Sequence, residues 1–263
     1  MTETTPLDRA HAAMEAAPGD DAARLRFYER LADSELFLML AAEPRGTDVE
    51  PEVFEVADGR FVLAFDREER LSGFAGQPAP YAALSGRRLA RMLAAQGLGL
   101  GLNLEVAPSS MLIPDTAIDW LDRTLGHVPE DIEVRVRELH PPAGLPESLI
   151  SGLDTKLAMA AGLAAAAYLV GVTYDTGARG HMLAFVDATD GAQTALAQAV
   201  SEALIFTGIE AGSLDVGFFA AASPLAAKLA VVGLRFDLPL PDPDVYPRPA
   251  APGRDLDKPP RLR

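Results

Sequence analysis

The sequence predicts an α+β protein made of two mixed α/β-sheet subdomains, followed by a disordered, proline-rich tail. Three observations lead to this fold class. Amphipathic helical patterns alternate along the chain with short apolar runs that are typical of strands. A polar stretch, GHVPED at residues 126–131, separates two halves. The last 25 residues, 239–263, hold eight prolines and cannot bury an apolar core.

The bulk composition argues against several classes of function. The 263 residues carry a net charge of −15 and include no cysteine. Without cysteine the chain has no disulfide, no thiolate metal site and no cysteine nucleophile. The negative charge disfavours nucleic acid and anionic membranes as partners, because both present phosphates. The N-terminal sequence has no basic region followed by an apolar run, so we expect no signal peptide and a cytoplasmic location.

One apolar stretch, residues 157–174, is long enough to imitate a membrane span. Its sequence, LAMAAGLAAAAYLVGVTY, is mostly alanine with glycines, and alanine contributes little to membrane insertion. We therefore predict a helix end, a turn and a buried strand in this stretch.

The first half is predicted to occupy residues 21–127, after a flexible N-terminus at residues 1–20. Its elements are a helix over 21–32, a strand over 35–41, a hairpin that turns at Asp58-Gly59, a helical turn in REERLSGFA, a helix capped by Ser85 and ended by Gly97, and a helix from Pro114 to Leu125.

The glycines at 97, 99 and 101 could suggest a phosphate-binding loop, but their context indicates a strand. Gly97 follows a helix, and Leu98, Leu100 and Leu102 alternate with small residues after it. A phosphate loop requires the opposite order, in which a strand precedes the glycines and a helix N-terminus follows them. We predict a strand that continues to Val106, with a nearly bare face that lets another backbone approach closely.

The second half, residues 130–238, is predicted to contain alternating strands and helices. The strands lie in IEVRVREL, AAAYLVGVTY, HMLAFVDA, LDVGFFAAA and LRFDL, and the helices lie at 146–161, at 192–208 and after Ser223-Pro224. Without the last helix and strand, the order is strand-helix-strand-strand-helix-strand. That order is the one of a split βαβ or ferredoxin-like sheet.

The sequence contains no complete catalytic motif and implies no cofactor or metal. Asp175-Thr176-Gly177 matches the triplet of aspartic proteases, but no second copy exists, so we interpret it as a turn between two strands. The four histidines are scattered without a metal-ligand spacing.

Two groups of arginines remain as charged features. Arg67 and Arg70 stand beside Glu68 and Glu69 and are interpreted as a self-compensating, solvated turn. Arg87 lies on the helix that Ser85 caps, where it could face an acidic partner or a phosphate, so we include it among the candidate binding residues.

The first half resembles the SseB-type N-terminal domain family. The resemblance lies in FVLAFDREERLSGFAG, YAALSGRRLARMLAAQ and GLGLNLEVAPSSMLIPDTAIDWL. Four features of the family fall on Phe65-Asp66, Tyr81, Asn103 and Ser109, and the resemblance makes these candidate binding residues. The chain departs from the family at Leu104, where proline is usual.

The resemblance extends over roughly residues 20–238, because the second half is similar to the C-terminal domain that often accompanies the family's first domain. It implies a two-domain cytosolic bacterial protein and supplies no catalytic signature.

Three hypotheses about function follow from the sequence. The first is a non-enzymatic interaction or scaffold protein that binds another protein or itself. The second is a small-molecule binder or a carboxylate-based enzyme with a site between the two domains, containing Asp66, Tyr81 or Asn103. The third is a homodimer that forms through the face of Gly99 and Gly101.

Overall fold

The computed structural model describes residues 4–43, 49–56, 59–127, 135–209 and 214–239. It has an α+β fold with two mixed sheets, as the sequence predicts. The elements of the first half are α1 (Pro6–Ala16), α2 (Asp21–Asp33), β1 (Glu35–Met39), β2 (Val53–Val56), β3 (Gly59–Phe65), α3 (Glu68–Ala75), β4 (Tyr81–Ser85), α4 (Gly86–Ala94), β5 (Gly99–Leu102), β6 (Met111–Ile113) and α5 (Asp115–Leu125).

The first sheet has the strand order β4-β1-β3-β5-β6, and β2 also pairs with β3. Only β3 and β5 are parallel; the other pairs are antiparallel. In β1 the side chains alternate, since Leu36 and Leu38 face the core beneath α1, α2, α4 and α5, whereas Phe37 and Met39 join a smaller cluster with Leu71 of α3. The turn of the β2–β3 hairpin at Asp58 lies outside the described residues.

The N-terminus differs from the prediction, because residues expected to be flexible form α1. Pro6 stands in its first turn, and Thr5 and Asp8 form a reciprocal capping box. The helix buries Leu7 and Met14 in the core. The spacing Thr-Pro-x-Asp at residues 5–8 is a helix-start signal in the sequence. The apolar face that follows is short, so the periodicity of residues 1–20 did not predict a helix.

The chain around the glycines at 97–101 confirms the predicted helix end but not the predicted strand length. Gly97 has a φ of +60° and donates to the carbonyl of Ala94, and Leu98 donates to that of Leu93. These paired bonds are a Schellman motif. The strand that follows ends at Leu102 and not at Val106, because Asn103 adopts a left-handed conformation with a φ of +49°.

The bare face of β5 is filled from within the chain. Phe61 and Leu63 of the neighbouring β3 lie opposite Gly99 and Gly101 in the parallel register. A Cβ atom on Gly99 would lie 2.5 Å from the Phe61 ring, so this face has no room for a second chain. The predicted close approach exists, but a side chain of the same sheet makes it, which contradicts the expected dimer face.

The second half contains β7 (Val136–His140), α6 (Glu147–Ala158), β8 (Ala166–Tyr174), β9 (Arg179–Val186), α7 (Gln193–Phe206), β10 (Asp215–Phe219), α8 (Pro224–Val232) and β11 (Leu234–Phe236). Its sheet has the order β10-β9-β8-β11, and β7 pairs with β8 along the edge that β11 also uses. The start of the predicted strand at residue 132, part of the GHVPED boundary, and the tail from residue 240 lie outside the described residues.

The second sheet is not ferredoxin-like. A ferredoxin-like sheet would place another strand between the two strands that flank α6, but β7 and β8 are direct antiparallel neighbours. The long β8–β9 hairpin explains this arrangement, since it pairs over eight residue positions and leaves only the outer edge of β8 for the short β7. Element order was read correctly from the sequence, but it does not determine which strands pair.

Two local predictions in this half are confirmed. Asp175-Thr176-Gly177 forms the turn of the β8–β9 hairpin, where Gly177 has a φ of +85° and donates to the carbonyl of Tyr174. The alanine-rich stretch at 157–174 contains the end of α6, a turn and β8. Among the described residues, no helix combines the length and apolar character that crossing a bilayer requires.

We predict that Gly99→Ala destabilises the protein by about 1–3 kcal/mol, because the added methyl group overpacks the core. Its Cβ would meet the Phe61 ring and, at 2.8 Å, the carbonyl oxygen of Ile113. Urea denaturation measures the change. The matched control is Gly73→Ala in α3, where nothing lies within 4 Å and alanine should gain about 0.5–1 kcal/mol. Equal stability of the Gly99→Ala variant and the parent would contradict the packing described.

Candidate functional site

Three of the five candidate binding residues, Asp66, Asn103 and Ser109, meet in one buried cluster. Asp66 follows β3 and Asn103 follows β5, so both lie where the two parallel strands of the first sheet end. In open α/β sheets this position often holds ligands. The other two candidates, Tyr81 and Arg87, lie elsewhere.

Asn103 fixes the geometry of the loops that follow these strands. Its side-chain oxygen accepts a hydrogen bond from the backbone N–H of Asp66 at 3.0 Å, and its amide nitrogen donates to the hydroxyl of Ser109 at 2.8 Å. Asparagine tolerates the left-handed backbone better than most residues. The loop from Asn103 to Ser109 is therefore tied to the end of β3 by a single side chain.

Arg70 of α3 lies at the centre of this cluster and pairs with two aspartates. Its guanidinium donates to both carboxylate oxygens of Asp8, at 3.0 and 2.5 Å, and to Asp66 at 2.8 Å. Ser109 also donates to Asp8 at 2.6 Å, and Thr5 donates to Asp66 at 2.6 Å. We call Thr5, Asp8, Asp66, Arg70, Asn103 and Ser109 the Arg70 cluster.

The Arg70 cluster is buried and internally paired. The side chains of Arg70, Asp8 and Asp66 are 1%, 2% and 4% exposed. Every carboxylate oxygen of the two aspartates accepts at least one hydrogen bond. Burial alone would raise the pKa of Asp8, but the hydrogen bonds from Arg70, Ser109 and the Thr5 backbone outweigh it and hold that pKa well below its usual range. The cluster fastens α1 to the sheet, because the Asp8 carboxylate of this helix binds Arg70 of α3 and Ser109.

Two members of the cluster were not found by sequence reasoning. Asp8 was placed in a flexible segment, although its capping-box spacing to Thr5 was a readable signal. The interpretation of Arg70 as part of a solvated turn is wrong. Its partners are Asp8, 62 residues away, and Asp66, rather than the neighbouring glutamates.

Arg87 belongs to a second charged cluster, which joins the two halves of the molecule. Its guanidinium binds Glu202 of α7 through two hydrogen bonds of 2.6 and 2.7 Å and reaches Asp33 at 2.6 Å. Lys156 of α6 also contacts Asp33, at 2.7 Å, together with Glu29 at 3.3 Å and Glu202 at 3.4 Å. We call Glu29, Asp33, Arg87, Lys156 and Glu202 the Lys156 cluster.

The contact between the halves continues with apolar and polar partners around the Lys156 cluster. Phe206 of α7 is fully buried in the core of the first half, where its ring meets Trp120 edge-on. Gln198 donates to the backbone carbonyl of Leu125 at 2.6 Å. These side chains pack the two halves together along α7, in the region where the second hypothesis expected a pocket.

The charges of the Lys156 cluster are unequal, because two cations face three carboxylates. Lys156 is only 2% exposed, and Glu202 only 3%. Burial raises the pKa of Glu29, and the neighbouring Asp33 raises it further, although Lys156 acts in the opposite direction. The interface therefore disfavours the charged form of Glu29.

Tyr81 lies at the start of β4, away from both clusters. Its ring packs edge-on against Phe37 with 5.5 Å between ring centroids. A hydrogen bond with Glu68 raises the pKa of its hydroxyl. Tyr81 thus contacts Phe37 and Glu68, which line the same cleft as Asp66, and these two contacts lie outside the Arg70 cluster.

Two of the clefts on the described surface lie within one half each. One, of about 500 Å³, borders the Arg70 cluster and is lined by residues of the first half, including Asp33, Asp66 and Glu68. The other, of about 640 Å³, is a groove between β7 and α8 in the second half. Among the described residues no group of three or more metal-binding side chains comes together.

The comparisons with known proteins cover the first half of the chain. Residues 7–120 match the family model for the SseB protein N-terminal domain. This segment contains Asp66, Tyr81, Asn103 and Ser109 and ends before the second sheet, so the match does not include a C-terminal domain. No curated protein and no solved structure matches the chain.

We predict that Asp8→Asn destabilises the protein by about 3 kcal/mol at pH 7, because it leaves the buried charge of Arg70 half-neutralised. The folded-state pKa of Asp8 is lowered. Its contribution is therefore complete above the unfolded pKa of about 3.9 and is lost as the pH falls below that value. Urea denaturation at pH 7, 5 and 3 should show the gap between the variant and the parent narrowing only at the lowest pH.

Asp119→Asn is the control for Asp8→Asn, because it removes an aspartate that pairs with Arg123 on the surface of α5. Its effect should stay below about 1 kcal/mol. A cost for Asp8→Asn no greater than that of Asp119→Asn would show that the buried pair contributes nothing to stability.

In the Lys156 cluster we predict opposite results for two carboxylates. Glu202→Gln should cost about 1–3 kcal/mol, since it weakens the contacts of the buried Glu202 with Lys156 and with Arg87, whose side chain is 37% exposed. Glu29→Gln should be neutral or stabilising at pH 7, because a raised folded-state pKa means that the charged form opposes folding. The advantage of Glu29→Gln should shrink as the pH falls toward the raised pKa. Thermal unfolding of both variants at pH 5 and 8 tests this, and an equal loss from both would refute the assignment.

Proposed function

We propose that this protein has a non-enzymatic role as a cytosolic protein-interaction module. Its residues 7–120 belong to the SseB N-terminal domain family. The proposed docking surface is the groove between β7 and α8, and the proposed ligand is a segment of another protein that combines apolar and acidic side chains. The groove is the observation that carries the proposal.

Unequal coverage of the second sheet creates this groove. One face is covered by α6 and α7, which together bury a large cluster around Leu169, Leu183 and Phe185. Among the described elements, α8 is the helix on the opposite face, where it shares a cluster with Val172 and Met182. A helix of nine residues is too narrow to cover five strands.

The surface of the groove is apolar where it would contact a partner. Its lining consists of Val136, Arg137, Glu138, Leu139, His140, Leu225, Ala227, Lys228, Val231 and Val232. Val231 is 83% exposed, which is more than any other large apolar residue on the described surface. An exposed apolar patch with a polar rim is typical of a protein-binding surface.

The charges on the groove rim select the chemistry of the partner. Arg137 and Lys228 line the groove against a single carboxylate, Glu138, although the chain as a whole carries −15. The Arg137–Glu138 pair is 3.4 Å long and exposed, so Lys228 is left to attract an anion. A segment with apolar anchors and one or two carboxylates complements this lining.

The enzymatic alternative receives less support from the site. A carboxylate-based enzyme needs a carboxyl group of tuned pKa that a substrate can reach. In the Arg70 cluster the carboxylates bind the chain's own groups, and the Lys156 cluster is closed by α7. We therefore favour binding through the second half over catalysis between the halves.

The test is affinity purification of the tagged full-length chain from its own cells, followed by mass spectrometry. Val231→Asp should lower the amount of a co-purifying protein by about tenfold or more, because it replaces the apolar anchor with a charge that repels an acidic segment. Ala230→Asp is the matched control, since Ala230 is exposed on the same helix but does not line the groove.

Retention of the same proteins by Val231→Asp, or their equal loss from both variants, would refute the groove as docking surface. So would purification of the parent chain without any partner. Both substitutions lie on the surface and should leave thermal unfolding nearly unchanged, which separates lost binding from lost folding.

A further inference from the structure

We propose that residues 240–247 of this same chain, LPDPDVYP, occupy the groove between β7 and α8 when no other protein does. We call these residues the tail segment. This inference goes beyond the proposed function, because it concerns the chain without a partner and needs no second protein.

The described chain ends at the same edge of the second sheet as the groove, where Phe236 and Leu238 pack into the cluster beneath α6 and α7 on the opposite face. Both β7 and β11 pair with β8 along that edge, β7 up to Gly171 and β11 at Leu169–Ala167. After β11, Leu238 is buried and the carbonyl of Pro239 accepts a hydrogen bond from Gly162 at 2.9 Å. The start of the tail is therefore anchored to the body of the second half.

The tail segment is long enough to reach the groove. The end of β11 pairs with Ala167 of β8, and His140, at the near end of the groove, pairs with Gly171. These two positions are four residues apart along β8, which is about 13 Å. If the chain runs straight on from Phe236 to Pro239, it adds about 10 Å. From Pro239, Tyr246 can reach about 25 Å in extended conformation. In extended conformation Tyr246 can therefore reach the near end of the groove that Val231 also lines.

The chemistry of the tail segment matches the lining of the groove. It carries two carboxylates, Asp242 and Asp244, and no cation, directly before the apolar pair Val245 and Tyr246. Lys228 on the groove rim can attract the aspartates while the apolar pair covers Val231. The rest of the tail, residues 248–263, holds all five of its basic residues and fits a cationic rim less well.

The absence of cysteine from the chain allows a direct test by disulfide trapping. In the full-length Val231→Cys/Tyr246→Cys variant, the only two thiols are those introduced, so a mild oxidant such as oxidised glutathione reports how often the two positions meet. The matched control is Met159→Cys/Tyr246→Cys. Met159 is 51% exposed and lies three residues before Gly162, which binds Pro239.

We expect the Val231 pair to form an intramolecular disulfide about tenfold or more faster than the Met159 pair, because docking raises the effective concentration above that of a tethered, undocked segment. Adding Asp242→Lys and Asp244→Lys should slow trapping of the Val231 pair severalfold and leave the Met159 pair unchanged. If the Val231 variant fails to fold, Ala227→Cys, which lines the same groove, replaces it.

Equal trapping rates for the two pairs would overturn the inference, because an undocked tail meets Met159 at least as readily as Val231. Disulfide-linked dimers in place of monomers would also overturn it, since the groove would then hold the tail of a second copy. Neither result bears on capture of another protein by the parent chain, so the proposed function is judged separately by the Val231→Asp comparison.

Discussion

Burial of the Lys156 ammonium group between the two sheets constrains the whole molecule. Moving this charge out of water costs several kcal/mol unless carboxylates surround it, and the first half supplies two of them, Glu29 and Asp33, from one helix. The second half supplies Glu202, which Arg87 of the first half binds in turn. Each half therefore completes the charge balance of the other. Separating them would expose Phe206 and break the contacts of Lys156 with Glu29 and Asp33 and of Arg87 with Glu202, so the two sheets are expected to fold as one unit.

This constraint also explains why the most chemically capable residues offer so little chemistry. A reactive carboxylate or lysine needs an open side on which a substrate can bind. Here Lys156 is covered by Phe206, whose ring centroid lies 5.7 Å from the ammonium nitrogen, and Asp8 is covered by Ser109 and Arg70. The buried charges of the Arg70 cluster hold α1 against the sheet, and those of the Lys156 cluster hold α7 against the first half. The proposed binding role therefore rests on the surface of the second half, where the described elements leave the groove between β7 and α8.

The sequence predicts the parts of this structure that depend on local chemistry and misses those that depend on distance along the chain. Ser85 caps α4, Gly97 ends it, and Asp175-Thr176-Gly177 makes a turn, because each of these signals acts within a few residues. The pairs Asp8–Arg70 and Arg87–Glu202 are separated by 62 and 115 residues, and no spacing rule connects them. Asp66, Asn103 and Ser109 were found together only through their family resemblance. The predicted strand order of the second sheet was wrong for the same reason, because pairing depends on which strand edges remain free after distant segments have come together.

The form of the groove determines how a segment can bind there. β7 lies at the edge of its sheet, but a β-bulge between Val136 and Glu138 and the charges of Arg137 and Glu138 disfavour the addition of another strand. The tail segment contains prolines at 241, 243 and 247, and proline lacks the N–H group that strand addition requires. Its prolines also restrict the backbone before binding, which lowers the entropic cost of fixing it. Edge and segment are therefore both unsuited to extending the sheet, and the contact between them must come from side chains lying against α8. A partner protein that displaces the tail would have to bind in the same way, through apolar and acidic side chains rather than through its backbone.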